Sequence, residues 1–267
     1  MALLDEHSDP AHNRTVFTLA GAQAPLIRAL GELARQAIEC IDMSRQEGAH
    51  PRIGALDVCP IVWPQASLRE EARETALAVA EQLGALGLPV FLYGELASTP
   101  ERAERAFFRH GGPQALAKRM RDGGLKPDLG PGWPHATAGA VLVTARPPLA
   151  AFNVELEGVG LKAGAEIAAR LRESGGGLVG VRAIAIELAP GRIQISTNLH
   201  DPTAVPLCLV IEEVRRLAAS HDARPVAAEL VGLVPAAALD GYPEAVPIAG
   251  DPHARTIEAR LTALSAH

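Results

Sequence analysis

The densest run of chemically useful side chains is His-Pro-Arg-Ile-Gly-Ala-Leu-Asp-Val-Cys-Pro, which spans residues 50–60. His50 precedes a proline, which restricts it to an extended backbone, and an imidazole suits proton transfer near neutral pH. Asp57 is the one charge in the otherwise apolar residues 53–62, so its carboxylate needs a partner. His50 and Asp57 are therefore candidate catalytic residues. Because a lone loop histidine is more often merely solvated, the run by itself leaves both interpretations open.

A second candidate region is the glycine- and proline-rich stretch of residues 122–139. Loops of this length without secondary structure are usually functional or disordered. Glycine lets a backbone approach a flat ligand closely. Trp133 could stack on such a ligand or cover apolar residues, and both interpretations stay open.

The elements that must position these residues follow from hydrophobic periodicity and turn signals. In the first half these predict a strand at 15–19, a helix around 26–41, a strand at 53–62, a helix opened by a capping box at Ser67–Glu70 and ending near Gly87, a strand at 89–93 and two short helices at 100–109 and 113–121. In the second half they predict strands at 151–156, 179–188, 192–199 and 225–234, helices at 162–174 and 205–221, and a final helix at 255–264.

The second half thus has the order βαββαβ, which is ferredoxin-like. The first half shows the last four elements of such a unit, beginning with a strand at Leu3-Leu4-Asp5. We expect an α/β (α+β) protein with two ferredoxin-like subdomains, residues 1–145 and 146–267. Along residues 192–200 apolar and polar side chains alternate, so helices should cover one sheet face. The polar faces would either be solvated or face each other across a central cleft.

Composition excludes several function classes. The 267 residues carry a formal net charge of −6, which disfavours a nucleic-acid partner. Three scattered cysteines favour reduced thiols, and the sequence shows neither a signal-peptide pattern nor an apolar run long enough to cross a bilayer. We expect a cytoplasmic protein with no membrane partner and no metal.

The run of residues 50–60 resembles the signature of the formiminotransferase domain, which occurs alone and as the front half of formiminotransferase-cyclodeaminases. Further pieces agree in the same order across nearly the whole chain. They are Asn13-Arg-Thr-Val16, Ile41-Asp-Met-Ser-Arg45, Val90-Phe-Leu-Tyr-Gly-Glu95, Pro127-Asp-Leu-Gly-Pro131, Ala151-Phe-Asn-Val154, Ser196-Thr-Asn-Leu199 and Val231-Gly-Leu-Val-Pro235.

The resemblance implies a one-carbon transferase of histidine degradation. It would move the formimino group of N-formimino-L-glutamate to N5 of the co-substrate tetrahydrofolate, with His50 as general base. The residues that it assigns to folate or substrate binding are Gly130, Pro131, Gly132, Trp133, Pro134, His135, Ala136, Thr137, Ala138, Gly139, Arg14, Arg52 and Asn198. Residues 101–126 carry seven basic side chains against three acidic ones, a patch that either holds the carboxylates of folate or is simply solvated.

This chain departs from the family pattern in two places. It joins the pattern after the usual opening strand and helix, so we expect the first subdomain to lack them and to have an open sheet edge. Either a longer natural chain or a homodimer would cover that edge. His7 stands where better-known enzymes carry an acid that assists the histidine, so we expect a weaker proton relay.

Two alternatives to formimino transfer remain at this stage. One is a glutamate formyltransferase that uses the same site. The other is a folate-binding paralogue without turnover, which the missing strand and His7 would explain.

Overall fold

A computed structural model describes residues 1–9, 13–47 and 51–265, which form two compact units. The first unit comprises Met1–Ala2, Ser8–Thr15 and Leu19–Pro147, and the second comprises Leu3–His7, Val16–Thr18 and Pro148–His267. Within the described ranges, every helix is too short or too polar to span a lipid bilayer.

The first half of the chain forms a hairpin, then a parallel sheet with four helices. Its elements are β1 (Ala2–Asp9), β2 (Arg14–Ala20), α1 (Gln23–Cys40), β3 (Val58–Val62), α2 (Arg69–Ala85), β4 (Val90–Leu92), α3 (Arg105–Arg109), α4 (Gly112–Arg121) and β5 (Val141–Arg146). β1 and β2 pair with each other, and β3 and β4 pair in parallel with either edge of β5.

The central strand β5 explains the layering of the first unit. Its first five residues are all buried, as expected for a parallel strand covered on both faces. On one face Val143 and Ala145 pack with the small residues of α2, such as Ala76 and Ala80. On the other face Leu142 packs with residues of α3 and α4. The layers are therefore helix, sheet, helix.

The α/β class and the two-subdomain organisation are confirmed, while the strand pairing of the first half differs from the expected one. β1, β2, α1 and β3 follow each other as predicted, but β3 pairs with β5 and not with the hairpin. Hydrophobic periodicity did not predict β5. Its two edges pair in parallel with β3 and β4, and α2 is the crossover between those two strands.

Two local predictions in the first half are wrong. The strand expected over residues 53–62 begins only at Val58, because residues 53–57 form a turn. The capping box at Ser67–Glu70 does not form. A short 3-10 helix, Ala66–Leu68, precedes α2. The N-cap residue of α2 is Leu68, which provides no side-chain hydrogen bond.

The second unit confirms the ferredoxin-like prediction. Its elements are β6 (Ala150–Glu157), α5 (Leu161–Leu171), β7 (Val181–Ala189), β8 (Arg192–Leu199), α6 (Leu207–Ala219), β9 (Arg224–Val231) and α7 (Ile257–Ser265). The strands form one antiparallel sheet in the order β7-β8-β6-β9. Buried and accessible residues alternate along β6 and β8, so α5 and α6 cover one face and the other face is polar.

Candidate functional site

The two sequence regions that carry candidate chemistry lie directly against each other in the first unit. We call residues 51–57 the signature segment and residues 130–139 the glycine-rich loop. The amide of Ala55 donates to the carbonyl of Ala138 at 2.9 Å, and the amide of Ala140 donates to the carbonyl of Ile53 at 3.0 Å. Backbone groups, which do not depend on side-chain identity, thus join the signature segment to the end of the loop.

Two glycines make this close approach possible. Gly54 and Gly139 form an isolated antiparallel bridge. A methyl group at Gly54 would overlap the carbonyl oxygen of Ala140 and lie 3.0 Å from that of Ala138. Gly139 has φ +69°, and a methyl group there would overlap the carbonyl oxygen of Ile53. Any side chain at either position would force the two backbones apart.

A tight turn closes the glycine-rich loop at its end. The amides and carbonyls of His135 and Gly139 exchange two hydrogen bonds, of 2.8 and 3.0 Å. Nδ1 of His135 accepts from the amide of Ala138 at 3.1 Å. A neutral ring that accepts at Nδ1 carries its proton on Nε2. His135 therefore supports the turn with one nitrogen and keeps a donor on the other.

The start of the loop is fixed against β4 and the end of α2. Val90 donates to the carbonyl of Leu129 at 2.9 Å. Gly130 has φ +79°, and a methyl group there would overlap the carbonyl oxygen of Leu88. The middle of the loop includes the exposed Trp133, whose residue surface is 72% accessible. Both ends of the loop are thus held by backbone contacts while its indole remains accessible.

Asp57 has two partners, neither of which was assigned from the sequence. Its Oδ1 accepts from the amide of Ile53 at 2.7 Å, and its Oδ2 forms an ion pair with Arg109 of α3. The two side chains are 18% and 13% exposed. The carboxylate therefore closes the turn of the signature segment and attaches it to α3, which favours a positioning role for Asp57.

We expect the Asp57–Arg109 pair to contribute strongly to stability. Arg109→Gln leaves a poorly solvated carboxylate and should cost about 3 kcal/mol, the low end for a buried pair, since both groups keep some solvent contact. A double-mutant cycle with Asp57→Asn, followed by urea unfolding, measures the coupling. Lys118→Gln is the control, because it removes the exposed Lys118–Asp122 pair and should change stability by less than about 1 kcal/mol. A loss of stability in Arg109→Gln no larger than that of the control, or no measurable coupling with Asp57→Asn, would contradict the assignment.

Two side chains hold the segment that leads into residue 50. Asn13, at φ 47°, donates from Nδ2 to Gln46 Oε1 at 2.7 Å and to the carbonyl of Glu47 at 2.8 Å. Arg52 donates to the carbonyl of Gln46 at 2.6 Å. His50 itself lies outside the described residues. Arg52 therefore joins the described residues before and after His50, and Asn13 holds the residues before it.

Two further predicted residues, Arg14 and Asn198, lie outside these two segments of the sequence. Arg14 lies in β2 of the first unit. Asn198 lies on the polar face of β8 in the second unit, where Ala151 and Arg182 are its cross-strand neighbours. The structure brings together the signature segment and the glycine-rich loop, both within the first unit.

Most of the basic patch at residues 101–126 is committed to structural contacts. Arg102 pairs with Asp128 and lies 5.4 Å from the ring centroid of Phe108, while Arg119 lies 4.4 Å from that of Phe107 and donates to its carbonyl. Arg109 and Lys118 pair as described above. These contacts favour a structural role for these four side chains.

Sequence reasoning missed Arg109 and Asn13 as contributors to the site. No local signal identifies Arg109, since its partner is 52 positions away. Asn13 could have been found, because Asn is one of the few residues that readily adopt a positive φ. Among the described residues, no group of three or more His, Cys, Asp or Glu side chains is placed to hold a metal ion.

Comparison with known proteins gives consistent matches. Residues 1–146 match the model of the formiminotransferase domain, N-terminal subdomain, and residues 151–241 match that of the formiminotransferase domain. A glutamate formimidoyltransferase of Streptococcus pyogenes is 37% identical over 241 residues, covering 90% of this chain and 81% of the relative. One from Thermoplasma acidophilum is 37% identical over 89% of this chain and 79% of the relative.

The formimidoyltransferase-cyclodeaminase of Mus musculus is 39% identical over 89% of this chain, which spans 45% of that longer protein. Two family models together match most of the chain, and separate relatives exceed 30% identity over nine-tenths of it. The chain therefore belongs to the formiminotransferase family.

Proposed function

We propose that this chain is a glutamate formimidoyltransferase. It transfers the formimino group from N-formimino-L-glutamate to N5 of tetrahydrofolate, giving 5-formimidoyltetrahydrofolate and L-glutamate. The observation that carries the proposal is the backbone junction between the signature segment and the glycine-rich loop, found in a chain of this family. The names of its relatives in Streptococcus and Thermoplasma agree.

The chemistry that this function requires is a transfer between two nitrogens. N5 of tetrahydrofolate attacks the formimino carbon, and a tetrahedral intermediate forms. The bond between that carbon and the glutamate nitrogen then breaks. His50 takes the proton from N5 as general base and returns a proton to the departing nitrogen, so the reaction needs no external oxidant or co-reactant. Holding the two substrates together supplies much of the remaining rate.

In this proposal the glycine-rich loop, residues 130–139, receives the pterin ring. Its backbone is held at both ends, and Trp133 offers an exposed indole for stacking. Arg52 holds the chain beside His50, and Asp57 positions the signature segment. Arg14 and Asn198 are retained as proposed ligand-binding residues. The proposed boundary between the subdomains is at residues 145 and 146.

We also propose a cytoplasmic location. All three cysteines are free thiols, with Cys59 buried. Burial raises the pKa of the Cys59 thiol to about 12, so it is unreactive near neutral pH. Fractionation of cells that express the tagged chain is the direct test of location.

The enzymatic test compares two donors in the same assay. The purified chain is mixed with tetrahydrofolate and either N-formimino-L-glutamate or N-formyl-L-glutamate, and the folate product is followed by its absorbance after acid treatment. We expect turnover with the formimino donor and at least about tenfold lower kcat/KM with the formyl donor. The reverse preference would make the chain a formyltransferase. Folate binding without turnover of either donor would make it a binding protein.

A further inference from the structure

A small cationic site lies at the carboxyl edge of the parallel sheet of the first unit. Phe91 of β4 and Leu142 of β5 are register partners, so Tyr93 and Arg146 lie two and four positions further along the same face. Tyr93 is buried, and Arg146 is partly buried. In open sheets with parallel strands, the carboxyl edge is where ligands bind.

Helix α3 adds a second guanidinium to this edge. Phe108 of α3 packs on Phe91, with ring centroids 5.1 Å apart. Arg109 pairs with Asp57, which precedes β3, so the C-terminal end of α3 lies at the amino edge of the sheet. Arg105 begins the helix one turn away. It therefore lies toward the carboxyl edge, near Tyr93.

The charges of this site act on one another. The pKa of Arg146 is lowered, mainly by burial. The positive charge of Arg105 lowers it further, and Tyr93 acts in the opposite direction. Burial raises the pKa of Tyr93, while Arg105, Arg146 and Arg109 oppose the rise. Guanidinium groups remain protonated in proteins, so two positive charges stay close together here.

Neither Arg105 nor Arg146 has an acidic partner in the part of the chain that the structure describes. Arg146 donates from Nη1 to the carbonyl of Pro147 at 2.9 Å, and no carboxylate of a described residue pairs with either guanidinium. By contrast, Arg102 and Arg109 on the same segment both form ion pairs. Two like charges in partly buried positions are unfavourable unless an anion compensates them.

We propose that Arg105 and Arg146, beside Tyr93, form a binding site for a carboxylate group. The identity of the carboxylate rests on the proposed function: it belongs to a glutamyl group, supplied either by N-formimino-L-glutamate or by the tail of the folate. Guanidinium forks bind carboxylates through paired N–H donors, and a nearby phenol adds a further hydrogen bond. The site thus recognises the part of a substrate that does not react.

The first experiment tests the anion site without relying on the activity. Thermal melting is recorded with and without glutarate for the wild-type chain, Arg105→Gln and Arg146→Gln. Arg121→Gln, which removes an exposed charge of α4, is the control. We expect glutarate to raise the Tm of wild type and control, and to raise that of the two site variants by less than half as much. Equal stabilisation of all four proteins, or of none, would overturn the proposal.

The second experiment identifies the source of the carboxylate. Dissociation constants are measured for folic acid and for pteroic acid, which lacks the glutamyl group, alongside KM for N-formimino-L-glutamate. If the site binds the folate tail, the variants should bind folic acid about 10–100-fold more weakly, and the dissociation constant for pteroic acid should not change. If the site binds the donor, only the KM for N-formimino-L-glutamate should rise. If wild type responds to glutarate but binds neither substrate, the carboxylate site stands and the proposed function fails. Unchanged constants in both variants would contradict the substrate assignment.

Discussion

Replacing His50 by alanine is expected to lower kcat by about 10²–10⁴-fold, the usual contribution of a general base. The assignment comes from the position of His50 in the signature run and from the family to which the chain belongs. In the proposed mechanism the base acts on the reacting nitrogen and does not hold the folate, so we expect the dissociation constant for folate to change by less than about threefold.

Turnover and folate binding can be measured on the same protein, because tryptophan fluorescence reports the binding. Trp133 is 72% exposed in the proposed folate loop, whereas Trp63 is only 8% exposed, so folate should quench mainly the first. The assay follows kcat, and the fluorescence titration follows binding. His253→Ala, at an exposed histidine of the second unit, is the control and should keep wild-type values of both. A near-wild-type kcat in His50→Ala would remove this residue from the mechanism.

Gly54→Ala is expected to lower kcat/KM by at least about 100-fold and to cost about 1–3 kcal/mol of stability. The added methyl group would overlap the carbonyl oxygen of Ala140, which is a backbone atom and cannot rotate away. The signature segment and the glycine-rich loop must then separate, and both carry proposed site residues. A displacement of about 1 Å is enough to produce such a loss of rate.

Gly132→Ala provides a matched control within the same loop. A methyl group at this position would meet no heavy atom within 4 Å, and the backbone there does not require glycine. We therefore expect its Tm to stay within about 2 °C of wild type. Thermal melting and steady-state kinetics of the two variants give the comparison. Equal losses in both would show that the junction at Gly54 has no special role.

The parts of the fold that the sequence predicted well have strong local periodicity. The six elements of the βαββαβ unit were expected in the right order, and the alternation along β8 correctly separated its covered and polar faces. In antiparallel strands with one covered face, apolar and polar side chains alternate, so the pattern is visible without knowledge of the partner strands. The helix predicted around 26–41 likewise corresponds to α1.

The parts that failed depend on contacts between distant residues. The apolar run at 53–62 looks continuous, yet its first half turns because the carboxylate of Asp57 binds the amide of Ile53 and the guanidinium of Arg109. The central position of β5 follows from pairing with β3 and β4, which precede it by many residues. A single sequence carries no signal for such partners, although the composition of the glycine-rich loop did indicate a special backbone.

The way in which the glycine-rich loop is held has a consequence for how this enzyme could be altered. Its ends are fixed by main-chain donors and acceptors, and by positions where only a hydrogen atom fits. Apart from the ring of His135, no side chain between Pro131 and Ala136 is needed for those contacts. The path of the loop is thus largely independent of the identities of the residues along it. The residues between the fixed ends are therefore positions where side chains can be exchanged to alter ligand specificity while the scaffold beneath stays unchanged.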